Sequence, residues 1–249
     1  MVILKTLDQI EKIKKSCKIV SHVLYNLRKE IKPGITTMYL NNLAEELCYE
    51  RGGIPGFKGY RGFPFSICAS KNDEIVHGFP NDVVLKDGDI ISIDFGVIYK
   101  GWWGDSAFTT GVGNISPAAK KIITVGEECL NAGIKSSGPF RRIGDISSSI
   151  QKHAESNGYN VVKEFVGHGV GKDLHEDPQV LNYGERYTGH LIRPGTVIAI
   201  EPMLTIGSSE NSISDNGWTA STNDGGISVH FEHTIAVYRN GVEVLTSVD

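Results

Sequence analysis

Apolar residues recur at three-to-four spacing near the start of the chain, at Ile10, Ile13, Cys17, Val20, Leu24 and Leu27. That period belongs to a helix with one buried face. The stretch "KPGI" ends it, and "TTMYLNNLAEELCYERGG" opens a second helix with a threonine cap and stops it at glycines. A glycine-rich loop, "GGIPGFKGYRGFPFS", leads to a short strand, "ICAS". The pattern then changes to β-branched runs, "DIISIDFGVI" and "WWGDSAFTTGVG", which predict two strands around a turn at Tyr99–Gly101. Two more helices follow in "SPAAKKIITVGEECLNAGI", with proline near its start, and "DISSSIQKHAESNGYN", which ends at a glycine. The remainder, "YNVVKEFVGHGVG", "GTVIAIEPMLTIG" and "ISVHFEHTIAVYRNGVEVLT", is mostly strand.

A weak repeat runs through this pattern. "LKDGDIISIDFG" aligns with "IRPGTVIAIEPM", each with a glycine six residues before an acid, and each has a capped helix upstream, beginning near Thr37 and near Asp145. Two similar α+β halves facing each other across one sheet account for it. No linker or composition break separates them, so residues 1–249 are expected to form one domain.

The strands carry acids where apolar residues are expected. Asp94 shares a strand face with Ser92 and Gly96, Glu201 with Val197 and Ala199, and Glu232 with Ser228, His230 and Thr234. Small or polar face-mates leave space around these carboxylates. If the hairpin is centred between Tyr99 and Lys100, Asp94 lies opposite Asp105, with Cβ atoms about 4.5–5.5 Å apart; a bulge at Gly101 would shift that register. Two carboxylates so placed repel and lose hydration, and a pair of hard divalent cations between them is the compensating arrangement. "EFVGHGVGKDLHEDP" adds His168 and His175 in a glycine-rich setting, and His77 has Gly78 beside it. Glycine neighbours leave a histidine sterically open, and imidazole beside carboxylates favours Mn, Fe, Co or Zn over Mg or Ca. Singly, each acid reads as an edge charge and each histidine as a structural one; the set together reads as a metal site. The other five histidines read as structural or surface, with His233 on the apolar face as core.

Composition narrows the class. A net charge of −4 gives no bulk reason to bind nucleic acid or anionic membrane. Four scattered cysteines without a CxxC pair argue against a disulfide frame or zinc ribbon and suit a reducing compartment. No stretch reads as a signal peptide or a membrane span, so the cytoplasm is the expected location. "DFG" at Asp94–Gly96 lacks the other kinase motifs, and "VGHGVGKD" lacks the first glycine and final Ser/Thr of a P-loop.

The ordered set "IDFG…GD", "GHGVG…HEDP", "IEP" and "FEHT", with "KPGITT" and "NDEIVHGFP", resembles the methionine aminopeptidases of the pita-bread fold over essentially the whole chain. The short gap between Glu201 and Glu232 makes it similar to the bacterial-style type I form. The resemblance implies an α+β fold of pseudo-two-fold halves, a central antiparallel sheet covered by helices. It implies that Asp94 holds one metal, that Asp105 and Glu232 bridge two, and that His168 and Glu201 complete the other. An activated water would attack the scissile carbonyl, Glu201 would shuttle its proton, His175 would steady the carbonyl oxygen and His77 would contact the scissile nitrogen. The methionine pocket would be lined by Phe57, Tyr60, Phe63, Cys68, Leu174 and Trp218. Phe57, Phe63 and Leu174 depart from the commoner residues at those places, cysteine, tyrosine and an aromatic. A monovalent cation, Na or K, would lie near Asn72, Glu74 and Ser228. The implied substrates are deformylated Met-Xaa N-termini of nascent polypeptides with a small second residue. Association with the ribosome is compatible with that role, and a monomer is expected. Prolidases and aminopeptidase P are the nearest alternatives, and they carry an N-terminal domain for which only one short helix stands here. Non-catalytic relatives lose metal ligands, whereas all five are present.

Overall fold

Thr6 opens the first helix, α1 (Leu7–Glu30), through a reciprocal cap: its hydroxyl accepts the Gln9 N–H while the Gln9 side chain accepts the Thr6 N–H. In the computed structural model, which describes residues 1–247, α2 (Thr37–Glu50) follows behind Thr36, α3 (Pro117–Ser136) behind Ser116, and α4 is Ile143–Ser156. The fourth helix starts two residues before Asp145, whose carboxylate accepts the Arg142 N–H and serves as an internal cap rather than the first residue.

Nine strands form the principal sheet among the described residues: β1 (Ile54–Pro55), β2 (Cys68–Lys71), β3 (Ile90–Tyr99), β4 (Trp102–Gly111), β5 (Gly167–Gly169), β6 (Glu176–Val180), β7 (Val197–Ile200), β8 (Glu232–Tyr238) and β9 (Gly241–Val244). Their order is β1-β3-β4-β8-β7-β5-β6, with β2 also on β3 and β9 also on β8. All these pairings are antiparallel. Two three-stranded sheets complete the β structure, one of 160–161, 203–205 and 228–230, the other of 74–76, 211–213 and 220–222.

The weak repeat is a structural one. β4 and β8 meet at the centre, with β3 outside the first and β7 outside the second. Gly88 and Gly195 introduce β3 and β7 with φ of 94° and 95°. Each donates its N–H across to the outgoing segment of its own half, to Val112 O and Val237 O. The helix starts correspond too: Thr36 bridges to Val84, and Arg142 to Leu191. This is the arrangement the α+β, two-halved expectation describes. The last two positions of the expected 1–249 unit lie outside the described residues.

The hairpin register differs from the expected one. Tyr99 pairs with Trp102, so the two-residue turn is Lys100–Gly101, with φ of 50° and 76°. Two consecutive left-handed residues make the tight turn whose twist matches the strands, and glycine suits the second place. Asp105 therefore opposes Gly96, and Asp94 opposes Ala107. The shift is two residues rather than the one a bulge would give. It leaves both acids on one face, now as diagonal neighbours.

Helices cover the opposite face. Ile91, Ile93, Phe95 and Val97 of β3 pack under α1 and α2, and Ile198, Ile200, Ile235 and Val237 of β7 and β8 under α3 and α4. The side chains between them, at 94, 201 and 232, face away from the helices. α1 lies directly on β4 at Gly104, where a Cβ would sit 2.6 Å from the Cys17 nitrogen and 2.8 Å from the Ser16 carbonyl carbon. The contact is backbone to backbone, so neither side can yield. Gly104→Ala is predicted to cost about 1–3 kcal/mol as overpacking, a fall in melting temperature of about 3–10 °C for a domain of this size. An unchanged melting temperature would mean that α1 does not seat on this strand.

Candidate metal centre

One cavity opens on the acid-bearing face. Asp94, Asp105, His168, Glu201 and Glu232 line it, as do His77, His175, Phe57, Tyr60, Phe63, Cys68, Leu174 and Trp218. The structure thus brings together every candidate metal-ligating, catalytic and pocket residue of the sequence reading. Arg61, Val76, Phe165, Val166 and Met203 also line the cavity and were not anticipated.

The acids come from both halves: Asp94 on β3 and Asp105 on β4, Glu232 opening β8 and Glu201 following β7. The central seam is locked by side chains as well as by the ladder. Ser106 Oγ donates to Glu232 O at 2.6 Å, and Thr234 Oγ1 donates to Asp105 O at 2.7 Å. Asn182 Nδ2 donates to Glu201 O at 3.1 Å and holds the chain where β7 ends.

All four carboxylates are buried. Burial, then Asp105 and Glu201, pushes the Asp94 carboxyl well above the usual range. Burial and Asp105 do the same to Glu201, and burial with Asp105, Glu201 and Asp94 to Glu232. Asp105 is pushed up to about 7, chiefly by burial. Four carboxylates in one apolar enclosure cannot all ionise without a counter-charge.

The imidazole among them is neutral and aimed. Burial lowers His168 to about 4. Its Nδ1 lies 2.9 Å from Gly169 O, which can only accept, so the proton sits on Nδ1 and Nε2 keeps a free lone pair. Nε2 is 3.5 Å from Glu201 Oε1 and 3.8 Å from Asp105 Oδ2. Asp105, His168 and Glu232 offer ligand atoms all within 4.8 Å of one another. Asp94 Oδ1, Asp105 Oδ1 and Glu232 Oε1 are buried with no hydrogen-bond partner. Hard oxygens left unpaired around an imidazole lone pair fit a first-row divalent cation.

Glycine neighbours have a different purpose from the one expected. A Cβ at Gly167 would lie 2.4 Å from Ala199 O, and one at Gly169 2.3 Å from Asp177 O. These glycines let β5 press between β6 and β7, and they bury His168 rather than open it. Gly78 likewise meets Ala69 O at 2.5 Å and seats the chain after His77 against β2. The space expected beside Asp94 at Gly96 is filled by the Phe57 ring, whose Cε1 is 2.5 Å from where a Cβ would be.

His77 has φ of 58°, unusual for a non-glycine residue, and its imidazole meets Phe165 and Trp218 edge to face. Burial lowers it to about 4. His175 stands at the exposed rim of the cavity, its Nδ1 2.9 Å from the Tyr60 hydroxyl and its ring centroid 4.3 Å from that of His168. Its partial burial against the cavity wall, then His168, Arg61 and His77, hold it neutral, at about 3.

His230 is the residue the sequence reading missed. Its Nε2 is buried without a hydrogen-bond partner, 3.6 Å from Glu201 Oε2. The signal was its alternation with Glu232, which puts both on one face. His233, expected in the core, is half-buried, its Nδ1 lying 2.8 Å from the Thr246 hydroxyl and 3.5 Å from that of Ser106. Asn72 and Ser228 are adjacent, the Ser228 N–H donating to Asn72 O, and Glu74 accepts the Lys71 N–H. The Ser228 hydroxyl is buried without a partner.

The model of metallopeptidase family M24 matches residues 11–239. The chain is 48% identical over 248 residues to methionine aminopeptidase 1 of Bacillus subtilis, covering 100% of both, and 46% identical over 248 residues to the methionine aminopeptidase of Clostridium perfringens, again covering 100% of both. The crystal structure of methionine aminopeptidase from Thermotoga maritima superposes with a TM-score of 0.98 at 44% identity, covering 100% of each chain.

The titrating groups give stability a particular pH dependence. A carboxyl whose pKa is higher folded than unfolded binds its proton more tightly in the fold, so its contribution to the stability of metal-free protein is lost as pH rises towards the folded value, about 7 for Asp105. Buried His77, His168 and His230 lie at about 4, 4 and 3, below their unfolded value of 6.5, so stability is lost as pH falls below that value. With a chelator present, the melting temperature is predicted to fall as pH rises from about 6.5, where the histidine gain is complete, through about 7, where Asp105 ionises, and on as the carboxyls held higher ionise. Saturating divalent cation removes the alkaline decline by holding the carboxylates ionised. A metal-free melting temperature level or rising from about pH 6.5 to about 8 would contradict the shared burial of these acids.

Proposed function

The chain belongs to metallopeptidase family M24 and, within it, to the methionine aminopeptidases; from that premise we propose how its cavity removes an N-terminal methionine. The observation that carries the reading is the convergence of four buried carboxylates and the His168 lone pair on one unpaired set of ligand atoms. Asp94 would hold one divalent ion, His168 and Glu201 a second, with Asp105 and Glu232 shared. Iron, manganese, cobalt and zinc all suit this donor set. When bound, such a pair supplies Lewis acidity, lowering the pKa of water towards neutrality and polarising a carbonyl.

The chain's own groups do the rest. Glu201, ionised when cations are bound, takes a proton from the attacking water and returns it to the leaving amine. His175 engages the Tyr60 hydroxyl through Nδ1 and keeps its other nitrogen for the carbonyl oxygen as charge gathers there. Neutral His77 contacts the scissile nitrogen. The methionine side chain lies among Phe57, Tyr60, Phe63, Cys68, Leu174 and Trp218, where Phe63 and Trp218 meet edge to face at 5.2 Å. A small second residue is favoured because the two imidazoles stand beside the carboxylates, where it would pass. The carboxylates favour a free amine over a formylated one.

A monovalent cation at Asn72, Glu74 and Ser228 belongs to the same reading, supported by the partnerless Ser228 hydroxyl. So does work in the cytoplasm on nascent chains, by a monomer compatible with ribosome association. Four buried, unpaired cysteines among the described residues support a reducing compartment. Among those residues no helix is long and apolar enough to cross a membrane.

A peptide panel with added cobalt, manganese or iron tests the reading. Met-Ala-Ser is expected to release methionine, while formyl-Met-Ala-Ser and Xaa-Pro peptides stay intact. Cleavage of Xaa-Pro would favour a proline peptidase, and no cleavage at all a binding protein. Asp105→Ala is predicted to lower turnover on the order of 10³-fold or more, since groups that act as a unit fail together. Unchanged turnover would remove the dinuclear assignment.

A further inference from the structure

A second pair of buried charges lies behind the cavity wall. Lys5, from the segment before α1, places Nζ 2.5 Å from Glu176 Oε2, with side chains only 3% and 6% exposed. Lys5 Nζ also donates to Ile3 O at 2.8 Å, and its backbone N–H donates to Gly195 O at 2.7 Å, in the turn that leads into β7. The other Glu176 oxygen accepts the N–H groups of Lys172 at 2.8 Å and Asp173 at 3.4 Å. The pair fills the space a side chain at Gly171 would need: a Cβ there would lie 2.1 Å from Glu176 Oε1 and 2.7 Å from Lys5 Cε. Gly171 O in turn accepts the Trp103 N–H at 2.9 Å. The segment 171–176 is therefore wound around an ion pair whose lysine comes from the far end of the chain. That segment carries Leu174 and His175 into the cavity.

A buried pair could be no more than a clasp for the chain's first residues. Its placement says more, because one oxygen of Glu176 is spent on the loop and the other on Lys5. We propose that Lys5 and Glu176 are positioning residues for the reaction: their ion pair sets the loop conformation that aims His175 at the carbonyl oxygen and Leu174 at the methionine side chain. This rests on the role given to His175 above. Removing one charge leaves the other buried and unpaired, which the loop relieves by opening. Removing both leaves an amide that still accepts the loop N–H groups.

The test combines kinetics on Met-Ala-Ser with trypsin cleavage after Lys172, an exposed residue of the loop. Cobalt-loaded Lys5→Met, Glu176→Gln and the double variant are compared, each also in a His175→Ala background, well below their melting temperatures. Each single variant is expected to be cut faster after Lys172 and to lose about 10–100-fold in kcat, the range for a small misplacement. Metal affinity by calorimetry should stay unchanged, and the double variant, free of unpaired charge, should recover both properties; it also keeps the test intact if a single variant folds poorly. In the His175→Ala background the same substitutions should change kcat less than about twofold, since interacting sites are not additive. Equal losses in both backgrounds, or unaltered cleavage and kcat in the single variants, would overturn the proposal. If trypsin cuts faster while His175→Ala alone leaves kcat unchanged, the loop is positioned as proposed and it is the role of His175 that fails.

Discussion

Four carboxylates from opposite halves of the chain are buried within reach of one another. Burial, with Asp105 beside them, pushes Asp94, Glu201 and Glu232 well above the usual carboxyl range, and an oxygen on three of the four residues has no hydrogen-bond partner. Such an arrangement is unfavourable for the polypeptide alone. It persists because the sheet leaves it no freedom: β3, β4, β8 and β7 are consecutive in the ladder, and serine and threonine hydroxyls tie the backbone of Asp105 and Glu232 across the seam. Stability surrendered at this point is recovered when cations bind the fold and not the unfolded chain.

The duplicated architecture explains how so many acids reach one place. Equivalent glycine turns at 88 and 195 launch β3 and β7, and the acids six residues after each glycine then come together across the central pair. The helices of each half cover the other face, so the acid face is free to become a cavity roofed by loops. Neutral histidines complete it, one presenting a lone pair and others standing at the wall and rim. Their neutrality has a common cause in burial, complete at His168 and partial at the rim, where His168, Arg61 and His77 add to it at His175.

Much of this was legible in the residues. Strand alternation placed Asp94, Glu201 and Glu232 correctly, and the order of motifs identified the family over the whole chain. Register was not legible to the residue, because the hairpin turn depends on Lys100 adopting a left-handed conformation that nothing local demands. Glycines beside histidines were read as openness, whereas the atoms that crowd them, Ala199 O and Asp177 O, belong to the strands on either side, which local sequence does not reveal. His230 escaped for a related reason: its closeness to Glu201 follows from the pairing of Met203 with His230, on strands well apart in sequence. Local pattern announces which groups are chemical; which of them touch is decided by long-range packing.

The central claim is that this convergence is a two-ion site. Crystals equilibrated with manganese or cobalt, measured at the metal's absorption edge, test it most directly. Two anomalous peaks about 3.5–4 Å apart, enclosed by Asp94, Asp105, His168, Glu201 and Glu232, are the predicted result. No peak in the cavity at saturating metal, or peaks coordinated by other residues, would contradict it.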